Sequence, residues 1–261
     1  MTHPLGNIID FDRCPITDAD YIAATKAALD HDGAVCLDGF LTESARTKMI
    51  AAGKSEQHLA FYTQGTHNVY LTPKDETLAP DHTFNRQVSS SKGCITTDQV
   101  PHDCGLHDIY YADDFRNFIA QVVGIDAVYP YEDPLSSINI HYASEGQELG
   151  WHFDNSSFAI TLLLEKPQGG GEFQYVRDLR DADRGEMNFS GVADILDGHA
   201  PINTLDIAPG TLVLFRGRNS MHRVTPTIGD ITRMLVVLAY NNTPGVALSE
   251  NARMTFYGRL G

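Results

Sequence analysis

The residues with the clearest chemical potential are two histidines and an aspartate in the second half of the chain. His152 and Asp154 are two positions apart in the stretch GWHFDNSSF, and His222 follows the apolar run TLVLF and a short turn. Alternate residues of a strand point to the same face, so we expect the first two side chains to project together. Two histidines and one carboxylate are the ligand set of non-haem Fe(II) centres. The spacing therefore predicts a metal site made by these three residues.

An arginine downstream strengthens that prediction. Arg233 lies eleven residues after His222, at the start of the apolar run TRMLVVLAY. An arginine in an inward-facing apolar strand is costly to bury unless a fixed anion pairs with it. A guanidinium binds a carboxylate through two parallel hydrogen bonds, so a dicarboxylate co-substrate would satisfy it. Because a lone His-x-Asp tripeptide is a weak signal, this downstream order carries most of the prediction.

The first part of the chain predicts helices. Apolar residues recur at helical spacing over 17–31, 41–53 and 110–125, with Thr42 as a candidate N-cap, and a strand is predicted between the first two helices. Residues 54–108 are polar and predict long loops with short strands. From residue 127 onward, β-branched and aromatic runs are separated by Gly, Pro and Asn, which indicates a double-sheet barrel or jelly roll.

These elements predict one domain over residues 1–261. It has a helical part over about 1–126 and a β core over about 127–261, and we expect the helices to back one sheet. The charged segment 177–200 interrupts the strands and predicts a surface excursion with a short helix. The Gly-rich stretch 169–171 is expected to be a turn, because no helix with Lys-Ser/Thr follows it.

Composition excludes several classes of function. The chain has 261 residues and a net charge of −15, which disfavours nucleic acids and anionic membranes as partners. No run approaches the ~18 apolar residues of a membrane helix, and the N-terminus lacks the pattern of a signal peptide. The four cysteines form no Cys-x-x-Cys pair and are expected to be reduced. We therefore expect a soluble, cytoplasmic protein.

The order His-x-Asp, distal His and Arg resembles that of the Fe(II)/2-oxoglutarate-dependent dioxygenases, whose core is a double-stranded β-helix of the jelly-roll or cupin-like type. The resulting expectation is an α+β, mainly β protein with its N-terminal helices packed on one sheet. Longer stretches resemble the BesD-like free-amino-acid halogenase and hydroxylase family; they are GWHFDNSSFAITLLLEKPQGGGEFQYV, PGTLVLFRGRNSMHRVTP, HDGAVCLDGFL, HNVYLTP and LSENARMTFYGRL.

The resemblance implies a reaction and a set of roles. His152, Asp154 and His222 would hold Fe(II), 2-oxoglutarate would chelate the iron, and its far carboxylate would pair with Arg233. Dioxygen would be the oxidant, and succinate and CO2 would be released. In the halogenases of this family a glycine replaces the carboxylate ligand and leaves room for chloride. Asp154 therefore implies a hydroxylase of an unactivated C–H bond in a free amino acid, with lysine or another basic amino acid as the first guess.

Two further residues are candidates for contact with the co-substrate. Asn139 and His141 alternate on the strand before the His-x-Asp segment, so they share one face. In related folds that strand helps to hold 2-oxoglutarate. Tyr142 is the alternative if the strand faces the other way.

Other polar residues are candidates for binding the substrate. A free amino acid needs a cation for its carboxylate and acceptors for its amines. Arg86 could serve as the cation, and Glu132 or Asp133 as an acceptor. Asn155, next to the ligand, and His67, in a loop–strand stretch, complete this group.

Three alternatives to the free-amino-acid hydroxylase stay open. The first is a radical halogenase of the same family. The second is a 2-oxoglutarate oxygenase acting on a peptide, a protein side chain, an alkylated base or another small molecule. The third is a non-catalytic, cupin-like binding protein. Small enzymes of this kind often form homodimers, which is the oligomeric state we expect.

Overall fold

A computed structural model of the chain describes residues 3–261. The helices of this part are α1 (Ala19–Asp32), α2 (Glu43–Glu56), α3 (Leu106–Tyr111), α4 (Asp113–Val123), α5 (Phe189–Leu196) and α6 (Glu250–Tyr257). The strands are β1 (Ala34–Leu37), β2 (Phe61–His67), β3 (Val88–Ile95), β4 (Ile138–Ala143), β5 (Leu149–His152), β6 (Ala159–Glu165), β7 (Gly169–Gly170), β8 (Phe173–Val176), β9 (Asn203–Leu205), β10 (Leu212–Phe215), β11 (Met221–Val224), β12 (Thr227–Ile228) and β13 (Arg233–Leu238).

The first helices begin and end at capping residues that the sequence supplies. The side chains of Asp18 and Thr42 accept hydrogen bonds from backbone N–H groups in the first turns of α1 and α2. Gly33 ends α1 in the left-handed conformation, with φ of 72°. The helix predicted over 110–125 is interrupted. Ala112 is extended, with φ of −67° and ψ of 130°, and it separates α3 from α4.

One continuous antiparallel sheet folds over to form two walls. The first wall has the strand order β1, β10, β6, β13 and β4, and the second has β5, β11, β8 and β9. Strand β3 joins them, because Gly93, Cys94 and Ile95 pair with β4 whereas Ser90 pairs with Leu149 of β5. The prediction of a mainly β protein with a double-sheet core is confirmed.

The main core lies between the helices and the outer face of the first wall. Met234, Val236 and Leu238 of β13 are buried in it, together with residues of α1–α4. The alternate residues of the same strand therefore point to the inner face, towards the second wall. Arg233 is one of these, and the pattern places it between the walls. The predicted packing of the helices on one sheet is confirmed.

A second buried cluster covers the outer face of the second wall. Val192 and Ile195 of α5 are buried there against Trp151, Phe153 and Met221. The segment 177–200 does contain the predicted short helix. It is more than a surface excursion, because the apolar face of that helix shields β5 and β11 from solvent.

The hairpin β2–β3 differs most from the sequence prediction. Its strands have seven and eight residues and pair continuously from Phe61↔Cys94 to His67↔Val88. The sequences FYTQGTH and VSSSKGCI are rich in Ser, Thr and Gly, so they lack the apolar alternation that identifies a strand. The prediction of short strands in this region was wrong, although a long loop over 68–87 does connect the two. None of the helices over residues 3–261 has the length and apolar character needed to cross a membrane.

Candidate metal centre

Three side chains converge between the walls. His152, the last residue of β5, pairs directly with His222 of β11, and their ring centroids are 4.1 Å apart. The Oδ1 atom of Asp154 is 3.7 Å from Nε2 of His152 and 3.5 Å from Nε2 of His222. One ligand atom from each residue lies within 4.8 Å of the others. The sequence prediction that these three residues come together is confirmed.

Asp154 reaches this position by a different route from the one predicted. Strand β5 ends at His152, and Asp154 lies in the turn that follows it. The turn is fixed by backbone hydrogen bonds from Phe153 N to Val69 O, 2.8 Å, and from Asp154 N to Gly217 O, 3.1 Å. Two loops, rather than a neighbouring strand, thus provide the acceptors. Phe153 still points away from the site, into the cluster under α5.

The two histidines are held in one tautomer. Nδ1 of His152 is 2.8 Å from the carbonyl oxygen of Gly150, and Nδ1 of His222 is 3.0 Å from that of Ser220. A carbonyl oxygen only accepts, so each Nδ1 carries the hydrogen and donates it. Each Nε2 faces Asp154 and is the ring nitrogen left for a metal. Such outer hydrogen bonds orient metal-binding histidines and raise their basicity.

The charges of the site suit a divalent cation. Burial, and then the adjacent His222, lower the pKa of His152 to about 3, so this ring is neutral at physiological pH. Burial opposes ionisation of Asp154, but His222 and His152 outweigh it and hold the pKa of this carboxyl below its ordinary value. Its Oδ2 atom is buried and has no hydrogen-bond partner. Two imidazole nitrogens and one carboxylate, which carries the unsatisfied buried oxygen, fit non-haem Fe(II).

The lowered pKa of His152 predicts how the metal-free protein responds to acid. Below pH 6.5, the ordinary histidine pKa, His152 is protonated in the unfolded chain. In the folded chain it stays neutral down to about pH 3. The free energy of unfolding should therefore fall by about 2 kcal/mol from this residue between pH 7 and pH 5. Urea unfolding of chelator-treated protein at both pH values measures this. A His152→Gln variant lacks that contribution, and an equal fall in both proteins would contradict the assignment.

Gly217 is packed directly behind the aspartate. A Cβ added at this position would lie 1.8 Å from Oδ2 of Asp154. The sequence analysis did not single out this glycine, and only the close approach of the two turns identifies it. Its missing side chain allows the carboxylate to reach the two histidines.

Gly217→Ala should therefore displace the Asp154 carboxylate. We expect metal affinity to fall about 10- to 100-fold, as for loss of an outer partner of a metal ligand. Metal content after dialysis against a graded chelator measures this. In an Asp154→Gly background the same substitution meets no carboxylate, so it should have little further effect. A full additional loss there would mean that Gly217 acts in some other way.

Arg233 occupies the place expected for a co-substrate anchor. It opens β13 opposite Ala143 of β4 and is 6% exposed. Its Nε donates to the carbonyl oxygen of Gly171 at 3.1 Å. Over residues 3–261 no carboxylate lies within salt-bridge distance of its guanidinium. Burial alone lowers its pKa to about 10. The buried cation is therefore available to an anion from outside the chain.

The two predicted co-substrate contacts have different surroundings. His141 is on β4, opposite Leu235, and its Nδ1 lies 3.2 Å from Nζ of Lys92. Asn139 uses its amide hydrogens on the carbonyl oxygens of Leu135 and Ile138, and its amide oxygen accepts from Tyr257 of α6. Its hydrogen-bonding groups are thus committed within the protein. Both residues stay predictions as contacts of the co-substrate.

Of the predicted substrate contacts, His67 lies near the metal centre. Its ring centroid is 6.2 Å from that of His152, and its Nε2 is 2.7 Å from Oγ of Ser90. Asn155 is exposed, and its carbonyl oxygen accepts a hydrogen bond from Arg218. These two residues stay predictions.

Two of the three charged candidates have partners within the chain. Arg86 forms a salt bridge of 2.7 Å with Asp197, the residue after α5. Asp133 is buried and accepts hydrogen bonds from the backbone N–H groups of Leu135, Ser136 and Leu248 and from the Ser136 hydroxyl. Glu132 is exposed. As substrate contacts, all three stay predictions.

Comparison with solved structures identifies the fold. The chain is similar to a 2OG-Fe(II) oxygenase family oxidoreductase from Burkholderia pseudomallei, with 16% identity, 86% of this chain and 92% of that chain covered, and a TM-score of 0.53. It is also similar to the α-ketoglutarate-dependent epimerase SnoN of nogalamycin biosynthesis, with 13% identity, 85% of this chain and 84% of that chain covered, and a TM-score of 0.59. A Pseudomonas putida prolyl-4-hydroxylase is 14% identical, with 83% of this chain and 96% of that chain covered, and a TM-score of 0.51. The predicted double-stranded β-helix fold is confirmed.

Sequence comparison assigns the family. None of the curated proteins matches the chain. The family described as Halogenase D matches residues 17–255, which is nearly the whole chain. The resemblance stated from the sequence is thereby confirmed at the level of the family, the fold and the His-Asp-His set. The chain belongs to the Halogenase D family of oxygenases.

Proposed function

We propose that this protein is an Fe(II)- and 2-oxoglutarate-dependent hydroxylase of a free amino acid. The observation that carries the proposal is the convergence of His152, His222 and Asp154 between the walls of an oxygenase fold. The products would be a hydroxy-amino acid, succinate and CO2.

Each residue of the site has a distinct role in this proposal. His152 and His222 would hold the iron through Nε2, and Asp154 would add a negative charge that offsets part of the metal's charge. Arg233 pairs with the far carboxylate of 2-oxoglutarate and fixes its orientation. When bound, iron with 2-oxoglutarate and dioxygen supplies the oxidising power for attack on an unactivated C–H bond. The protein contributes the position of that bond, on which the choice of carbon depends.

Asp154 favours hydroxylation over halogenation. It lies within 3.7 Å of both histidine Nε2 atoms, so its carboxylate fills the position that chloride needs in the halogenases that the sequence resembles. The description of the family as a halogenase favours a second candidate, a radical halogenase. In that case the carboxylate would have to leave the metal before chloride could bind.

The experiment is a product analysis with purified, iron-loaded protein. The protein is incubated with 2-oxoglutarate and a panel of free amino acids, with and without chloride, and succinate and modified amino acids are measured by mass spectrometry. We expect amino-acid-dependent succinate and incorporation of oxygen. Incorporation of chlorine would establish the second candidate. Succinate release that no amino acid stimulates would overturn the proposed substrate class and point to a peptide, another small molecule or a non-catalytic role.

A further inference from the structure

Lys92 is a charged group between the walls that the roles above do not use. It lies on β3 between the part that pairs with β4 and the part that pairs with β5. Its Nζ is 3.2 Å from Nδ1 of His141, and its side chain is half-buried. A lone lysine in VSSSKGCI is typical of an exposed strand, so the sequence analysis did not single it out.

His141 holds the lysine as a neutral hydrogen-bond acceptor. Burial, then Lys92, then Arg233 lower the pKa of His141 well below its ordinary value. The neutral ring accepts a hydrogen bond at Nδ1 from the Lys92 ammonium, so its own hydrogen is on Nε2. The two residues therefore form one unit that presents the remaining ammonium hydrogens and an imidazole N–H to a ligand.

This unit is distinct from the guanidinium of Arg233. Nε of Arg233 donates to the carbonyl oxygen of Gly171, whereas Nζ of Lys92 contacts His141. In the proposed reaction the far carboxylate of 2-oxoglutarate satisfies Arg233, so it is not available to Lys92. A buried charge without a partner is costly, so a second ligand is expected to supply one.

The folded chain supplies no close carboxylate partner for Lys92. Over residues 3–261 no carboxylate lies within salt-bridge distance of its ammonium group. Burial lowers the pKa of Lys92, and the charges of Cys94 and Asp154 oppose this effect. A carboxylate supplied by a ligand would stabilise the ammonium form further.

We infer that Lys92, held by His141, binds the carboxylate of the amino-acid substrate. The inference rests on the proposed function and deepens it, because it names the residue that recognises the substrate. Lys92 would thereby favour a free amino acid over a derivative whose carboxylate is blocked.

The test compares Lys92→Met with Lys92→Arg and with a control, Lys74→Met. Lys74 is exposed and pairs with Glu76 in the loop between β2 and β3. For Lys92→Met we expect the KM for the best amino acid to rise at least about 30-fold, the usual scale for removing one partner of a buried charge pair. The KM for 2-oxoglutarate should change less than about 3-fold. Lys92→Arg should recover part of the loss, and the control should match the wild type.

Two further measurements test the carboxylate directly. The wild type should prefer an amino acid over its amide at least about 30-fold, and Lys92→Met should lose most of this preference. Calorimetric titration of Mn(II)-loaded protein with 2-oxoglutarate and the amino acid, without turnover, should show the same loss of affinity. Circular dichroism of each variant checks that the fold is retained.

Each contrary outcome has a defined meaning. A rise in the KM for 2-oxoglutarate with an unchanged KM for the amino acid would place Lys92 in the co-substrate site and overturn the inference. An undiminished preference of Lys92→Met for the amino acid over its amide would also overturn the inference, while the proposed reaction would stand. If the wild type neither oxidises nor binds any amino acid, the proposed function itself fails together with the inference.

Discussion

An Asp154→Gly variant is expected to lose most hydroxylation and to form chlorinated product when chloride is present. We expect kcat/KM for hydroxylation to fall by more than about 100-fold, beyond the usual cost of losing an outer partner of a metal ligand. The reason lies in the packing of the site. The carboxylate fills the space between the Nε2 atoms of the two histidines and the backbone of Gly217. With glycine at both positions, this space is open beside the metal.

The measurement is mass spectrometry of the amino-acid product with and without chloride. Asp154→Asn is the matched control, because it retains an oxygen and nearly the same volume. It should keep part of the hydroxylation and give no chlorinated product. Two results would contradict the expectation. One is chlorination by the wild type, and the other is full hydroxylation by Asp154→Gly, which would mean that the aspartate is not a ligand.

Sequence spacing identified the metal centre because its residues lie next to regular, strongly apolar strands. His222 and Arg233 follow runs whose hydrophobicity fixes their strands, and adjacent pairing in the second wall then aligns His222 with His152. Even there, the predicted placement of Asp154 on the same strand as His152 was wrong. Asp154 joins the site through a turn whose acceptors come from Val69 and Gly217. These carbonyl groups belong to loops that are distant in sequence. The periodicity of a strand therefore cannot predict that they fix the turn.

The substrate region was harder to predict because its contacts depend on charges that meet only in the folded chain. Arg86 pairs with Asp197, 111 residues away, so its charge is used to anchor the insert. The Asp133 carboxylate accepts hydrogen bonds from the N–H of Leu248 and from the N–H of Ser136 in its own turn. Lys92 lies between the walls because β3 pairs with a strand of each wall. The Ser- and Gly-rich sequence of β3 does not predict this pairing. Charge alone does not separate a surface residue from a binding residue.

Replacing Arg233 by methionine should weaken the binding of 2-oxoglutarate. We expect the KM for the co-substrate to rise at least about 30-fold, since the loss of one partner of a buried charge pair costs about 2–5 kcal/mol. Arg233→Lys should recover part of it, because lysine keeps the charge but not the paired hydrogen bonds. Arg184→Met is a suitable control, since that side chain is 74% exposed.

The same variant also separates a binding role from a structural one. Without co-substrate, the Arg233 guanidinium is buried with the carbonyl oxygen of Gly171 as its hydrogen-bond partner. A methionine of similar volume avoids the cost of desolvating this charge, so the metal-free variant should be as stable as the wild type or more stable. Adding 2-oxoglutarate with Mn(II) should raise the Tm of the wild type more than that of the variant, because ligand binding stabilises the folded state. An arginine with a purely structural role would give the opposite pattern: a lower Tm for the variant without ligand and an equal gain on binding.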